Sequence, residues 1–212
     1  RRAVTHLDEL ARLGVATVHE AQDKTGLVDL PLVQIVPGSR VAGRARTALC
    51  ANGDNLMVHA AVAHAEPGDV LVVTMPEPKP IAMVGDLLAT QALDQGVVAM
   101  LVDGAVRDVQ ELRELGLPIW ARYVRAQGAA KDQVGELDTP VVVGGARIER
   151  GDVVVLDADG AVVIAADRID DVVAAARDRE AREVELRARY GAGERSYDVN
   201  DLRRLVEGQH PA

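Results

Sequence analysis

Gly85-Asp86-Leu87-Leu88 leads into Ala89-Thr90-Gln91-Ala92-Leu93-Asp94-Gln95-Gly96, then Val97-Val98-Ala99-Met100-Leu101-Val102, and closes on Asp103-Gly104-Ala105-Val106-Arg107-Asp108. The first four residues read as a turn. Residues 89–95 carry a helical pattern stopped by Gly96, and the apolar run 97–102 is short enough to be a buried strand. Residues 103–108 read as a second turn. The order turn, helix, strand, turn brings both turns to one edge of a sheet, where loop side chains converge on a ligand. Asp86, Arg107 and Asp108 are the charged residues expected to meet there.

The flanks extend the same alternation. Val70-Leu71-Val72-Val73 follows Pro67-Gly68-Asp69 as a β-branched buried strand, and residues 55–65 have helical periodicity before it. Ser39 to Ala51 reads as a half-exposed strand interrupted by Arg40, Arg44 and Arg46. Residues 4–13 and 17–24 read as two short helices around Gly14, with Thr17 as the N-cap of the second and Gly26 as its stop. Beyond Asp108 come a helix to Leu115 and a strand over Pro118 to Tyr123. Residues 141–143, 153–156 and 161–164 are strands, the last two joined by a tight turn at Asp157-Ala158-Asp159-Gly160. Residues 168–189 form a long helix whose apolar positions Ile169, Val172, Val173 and Ala176 give way to Glu and Arg past Asp178, the pattern of a helix projecting into solvent or lying across a neighbouring subunit. Ser196 to Val206 adds a short amphipathic piece.

Composition narrows the function. Aromatic residues make up 2% of the 212 and phenylalanine is absent, so base-stacking platforms are not expected. A net charge of −9 opposes nucleic acid and anionic membranes as partners. Cys50 is the only cysteine, which rules out an internal disulfide and reads as a small buried apolar residue of a cytoplasmic protein. No run reaches the roughly 18 to 20 apolar residues of a membrane span, and Arg1-Arg2 is followed by no signal-like apolar region.

Asp86 and Asp108 each stand where a helix begins, and Glu111 completes a capping-box spacing with Asp108, so capping is the competing explanation for both. Capping leaves Arg107 unexplained. An arginine, two carboxylates and a helix N-terminus at Leu87 and Leu88 suit a small oxoacid chelated to a divalent cation. Lys24, Lys79 and Lys131 are the only lysines; Lys79 lies in the proline-rich stretch 75–80 and Lys24 and Lys131 in polar contexts, against a Schiff-base mechanism. His59 and His64 have the wrong helical spacing for a joint metal site, His19-Glu20 does not continue into a zinc-protease motif, and all three histidines read as structural or surface residues. Gly144-Gly145 lacks the third glycine of a dinucleotide fingerprint.

Asp86, twenty intervening residues, then Arg107-Asp108 resembles the pattern of the class II pyruvate aldolases acting on 4-hydroxy-4-methyl-2-oxoglutarate and 4-carboxy-4-hydroxy-2-oxoadipate, which share their fold with the RraA regulators of ribonuclease activity. The resemblance continues through Ala16-Thr17-Val18-His19-Glu20-Ala21-Gln22, Gly53-Asp54-Asn55-Leu56, Pro67-Gly68-Asp69 and Val102-Asp103-Gly104, most of residues 10–165. It implies an α/β fold of the swivelling β/β/α (RraA-like) kind: a single domain over residues 1–166, a C-terminal helical extension over 167–212, and a homotrimer or homohexamer. It implies that Asp108 holds Mg2+, with Mn2+ as the alternative, that Arg107 binds the keto and enolate oxygen, and that the Gly85 turn with the amides of Leu87 and Leu88 takes the pyruvoyl carboxylate. The resemblance further implies that Asp86 orders metal-bound water and that Glu194 in Ala192-Gly193-Glu194 is the acidic residue that reaches a neighbouring subunit's site. Where relatives have Gly-Arg this chain has Asp23-Lys24, which bears on substrate preference. The implied reaction is retro-aldol cleavage of a 4-hydroxy-2-oxoacid to pyruvate plus a second oxoacid, with oxaloacetate decarboxylation through the same enolate. The alternative is an RraA-like protein that binds and inhibits a ribonuclease without catalysis; the methyltransferase labels found in this family would require a glycine-rich cofactor loop that the sequence lacks.

Overall fold

The computed structural model describes residues 5–208, so the Arg1-Arg2 start lies outside the described residues. The elements are α1 (His6–Ala21), β1 (Val33–Gln34), β2 (Val41–Leu49), α2 (Leu56–Ala63), β3 (Asp69–Thr74), β4 (Ala82–Val84), α3 (Asp86–Asp94), β5 (Ala99–Val106), α4 (Val109–Leu115), β6 (Ile119–Val124), β7 (Glu136–Leu137), β8 (Val141–Val143), β9 (Ala146–Ile148), β10 (Val153–Asp157), β11 (Gly160–Ile164), α5 (Ile169–Gly191), α6 (Ser196–Val199) and α7 (Leu202–Glu207). The main sheet has the order β1-β6-β5-β3-β2-β10-β11, with β4 added beside β5 and β7 beside β2. Its centre, β2-β3-β5-β6, is parallel, and β10 and β11 extend it antiparallel. The result is the expected mixed α/β domain with a C-terminal helix.

Burial follows the apolar runs. β3 and β5 are buried along their whole length, because α2, α3 and α4 cover one face and the β8–β9 hairpin the other. Valine, leucine, isoleucine and alanine fill these layers without phenylalanine. Ile169, Val172, Val173 and Ala176 of α5 pack with Leu10, Leu13 and Val18 of α1 and with β10 and β11. The rest of α5 is largely exposed, and neither α6 nor α7 buries a residue.

Three sequence expectations are corrected. Two helical segments flank Gly14 within residues 6–21, as expected, but the N-cap is Thr5 at the start of the first, and Thr17 lies inside the second instead of capping it. The break sits at Gly14, φ 83°, and the amide of Val15 just beyond it is capped from afar, donating to Asp157 Oδ2 at 2.9 Å. β2 is mostly buried, and Arg46, 4% exposed, is sustained inside by ion pairs to Asp69 (2.8 Å) and Asp138 (3.0 Å). Asp103-Gly104 makes no turn: β5 runs on to Val106 with a register irregularity between Val102 and Ala105. Gly104 is there for close approach, since a Cβ would meet Met83 Cγ at 3.0 Å, and Asp103 is buried against Arg122 (3.1 Å).

Candidate active site

β4 and β5 are parallel neighbours, with Val84 opposite Val106, so the loops leaving their carboxyl ends lie side by side. Ligands in α/β sheets settle outside such strand ends. The β4 loop is Gly85 alone before α3 begins; the β5 loop is Arg107-Asp108 before α4. The two turns therefore share one pocket of about 280 Å³, lined by Gly85, Asp86, Leu87, Leu88, Arg107 and Asp108 from this unit. Larger depressions exist on the surface, one between the start of α1 and Asp167 to Asp170 and one on the other side of Arg107 and Asp108 toward Val124 to Ala126, but neither brings that pair together with Gly85, Asp86, Leu87 and Leu88.

Neither carboxylate caps its own helix. Gly85, not Asp86, is the N-cap of α3, and Asp108 occupies the N-cap position of α4 in the left-handed region (φ 59°, ψ 42°) with no side-chain cap hydrogen bond. Its carboxylate turns toward the other loop instead, where Oδ2 accepts from the Asp86 amide at 3.3 Å and lies 3.5 Å from Arg107 Nε. A Cβ on Gly85 would stand 2.4 Å from Asp108 Oδ2 and 3.2 Å from Arg107 Nε. The glycine thus makes room for the pair. On the far side a Cβ on Gly128 would lie 2.7 Å from Arg107 Nη1, so the guanidinium is seated between two glycines. The first-turn amides of α3, including Leu87 and Leu88, have no intrahelical acceptor and face the same cavity, a setting for an anionic group.

The donor set fits a hydrated divalent cation of the magnesium type. Among the described residues no three His, Cys, Asp or Glu side chains gather into a closed cage, while Asp108 and Asp86 place one or two carboxylates on the pocket, as Mg2+ sites that retain several waters require.

The pocket also contains residues that sequence reading missed. His59 and Asn55 line it from α2 and the residue before it, and Gly128, Ala129 and Lys131 line it from the segment after β6. His59, read from the sequence as structural or surface, lines the cavity, and burial together with the Lys131 charge holds its imidazole below the usual range, so it is neutral at pH 7. The i, i+4 spacing of Asn55 and His59 was the available signal, since both fall on one helical face. His19 and His64 remain local, each beside a backbone carbonyl. Cys50 is buried, and burial pushes its thiol up to about 12, so it is inert at neutral pH.

Three residues lie away from the pocket of their own chain. Glu194, expected at a neighbouring subunit's site, pairs with Arg189 at 2.7 Å in the C-terminal segment, and Asp23 and Lys24 form a left-handed turn after α1. Asp54 acts from behind the pocket wall. Burial opposes its charge, but amides of Asp132, Leu56 and Gln133 donate to it at 2.8, 2.8 and 3.1 Å and hold its carboxyl below the usual range. A depressed carboxylate stabilises the fold above its unfolded pKa of about 4 and loses that contribution as pH falls through the lower folded value. Asp54→Ala should therefore cost about 2 kcal/mol at pH 7 and less in acid, measured as denaturant midpoints across pH.

A family model described as RraA-like, Aldolase/RraA, matches residues 15–163. The chain belongs to this family. It is 37% identical over 142 residues, 67% of this chain and 68% of the relative, to a Halalkalibacterium halodurans protein named "Putative 4-hydroxy-4-methyl-2-oxoglutarate aldolase". It is 34% identical over 126 residues, 59% of this chain and 76% of the relative, to the 4-hydroxy-4-methyl-2-oxoglutarate aldolase of Thermus thermophilus. A crystal structure from Streptomyces coelicolor, described as an unusual member of the RNase ES inhibitor RraA protein family, superposes with a TM-score of 0.75 at 31% identity, covering 86% of this chain and 95% of that one. The chain is thus similar in sequence to proteins named aldolases and in fold to a member of the RraA protein family.

Proposed function

We propose that the chain is a class II pyruvate aldolase, cleaving 4-hydroxy-2-oxoacids to pyruvate and a second oxoacid, with oxaloacetate decarboxylation as a second outcome of the same site. The observation that carries this reading is the convergence of the Arg107 guanidinium, the Asp108 carboxylate and the first-turn amides of α3 in one pocket, with neither Asp86 nor Asp108 capping its own helix. An inhibitory binding surface, the competing reading drawn from the Streptomyces relative, has no use for that arrangement.

The amides of Leu87 and Leu88 take the pyruvoyl carboxylate, and Gly85 leaves the space for it. When bound, a divalent cation held by Asp108 supplies Lewis-acid polarisation of the keto group. Asp86 orders the water that accepts the C4 hydroxyl proton. The O–H electrons form the second carbonyl, the C3–C4 bond breaks, and its electron pair moves toward the C2 oxygen, where the Arg107 guanidinium stabilises the developing enolate charge. C3 then takes up a proton and pyruvate leaves. The exposed outer part of α5 and the segment bearing Glu194 are assigned to a neighbouring copy in a trimer or hexamer, which would place Glu194 at that copy's pocket.

The test is pyruvate release from 4-hydroxy-4-methyl-2-oxoglutarate, and separately from oxaloacetate, with magnesium and with chelator. Release from both substrates is expected, lost with chelator and restored by excess Mg2+. Asp108→Ala should stay inactive at any Mg2+ concentration; an active Asp108→Ala enzyme would reject the assigned site.

A further inference from the structure

The pocket has further polar lining that the mechanism above does not use. Asn55 is 7% exposed, and its Nδ2 donates to the Met83 carbonyl at 2.9 Å, which fixes the amide so that Oδ1 is the remaining acceptor. Oδ1 has no partner. One helical turn further, the buried Nε2 of His59 also lacks a partner, and both residues line the cavity. Unpaired buried polar atoms cost about 1 to 3 kcal/mol each, so two on one wall mark a place where something else completes the hydrogen bonds. Lys131 lines the same cavity from the segment that Asp54 holds by the amides of Asp132 and Gln133, so its ammonium is presented from a tethered backbone.

We propose that Lys131 and His59, with Asn55 beside them, form a subsite for the distal carboxylate of a 4-hydroxy-2-oxoacid, the half of the substrate that does not become the first pyruvate. The inference rests on the aldolase reading and adds to it the group that selects the long substrate. The chemistry matches in sign. A carboxylate accepts from the Lys131 ammonium and from a neutral His59 carrying its proton on Nε2, and Asn55 Oδ1, which needs a donor that a carboxylate cannot give, is left for a bridging water. Lys131 is exposed, without the desolvation that a Schiff-base lysine requires, so its part is electrostatic.

Two ligands separate the halves of the pocket: pyruvate, and 2-oxoglutarate, which has the same pyruvoyl end and a distal carboxylate but no C4 hydroxyl to permit cleavage. Each is titrated calorimetrically into the protein with Mg2+. The wild type should bind 2-oxoglutarate about tenfold more tightly than pyruvate, the size of one charge-assisted contact. Lys131→Met and His59→Leu should bring that ratio to about twofold or less with the pyruvate Kd within threefold of wild type, and His59→Gln, which keeps a donor, should restore part of it. A ratio unchanged in Lys131→Met, or both affinities falling together, overturns the subsite. Wild-type protein that does not bind pyruvate overturns the aldolase reading and the subsite with it.

Discussion

Arg107→Ala is expected to lower pyruvate release from 4-hydroxy-4-methyl-2-oxoglutarate by roughly a thousandfold, in line with the loss of a positioned group facing developing negative charge. The guanidinium side chain is half exposed and its ion pair to Asp108 is 3.5 Å long, so the fold barely depends on it. The melting transition should therefore move by no more than about 0.5 kcal/mol. Arg107→Lys is the informative companion. It keeps the charge but not the planar fork seated between Gly85 and Gly128, and should recover only a small part of the activity. A coupled assay for pyruvate reads both, and near wild-type rates in the alanine variant would remove Arg107 from the mechanism.

Gly85→Ala should be nearly as damaging for a different reason. The backbone there is extended, φ −131° and ψ −171°, so alanine meets no conformational penalty. Its methyl group would stand 2.4 Å from Asp108 Oδ2 and 3.3 Å from Arg107 Cγ, and the side chains must give way. Displacing catalytic groups by about 1 Å costs on the order of a hundredfold in rate. Full magnesium response with kcat reduced about a hundredfold, in a protein of unchanged far-ultraviolet circular dichroism, is the expected result; unchanged kcat would mean that the Asp108 carboxylate has no fixed place in the reaction.

The sequence showed the unit from 85 to 108 because its signals are local: a helical run stopped by Gly96, a valine-rich strand and charged residues at both loops. What it hid depends on contacts across the chain. Asp103-Gly104 has the composition of a turn, yet Met75 and Met83 pack over the glycine and Arg122 and Thr74 bind the aspartate, so tertiary packing keeps the pair in a strand. β4 is three residues long, too short for period-two alternation to be visible, although it sets the neighbouring loop in place. Lys131 and Gly128 lie in an aperiodic stretch that reaches the pocket only because Ala82 pairs with Gly128 and Asp54 gathers the amides at 132 and 133. Arg46 reads as an exposed charge until Asp69 and Asp138, 23 and 92 residues away, arrive beside it.

The backbone of Asp108 adds a consequence of its own. A left-handed aspartate costs about 1 kcal/mol relative to a residue at ease there, and glycine would adopt the same torsions without effort. Glycine would also delete the carboxylate. Selection for thermal robustness and selection for turnover therefore pull this codon in opposite directions, which makes position 108 a marker of which demand has shaped a given descendant of the chain.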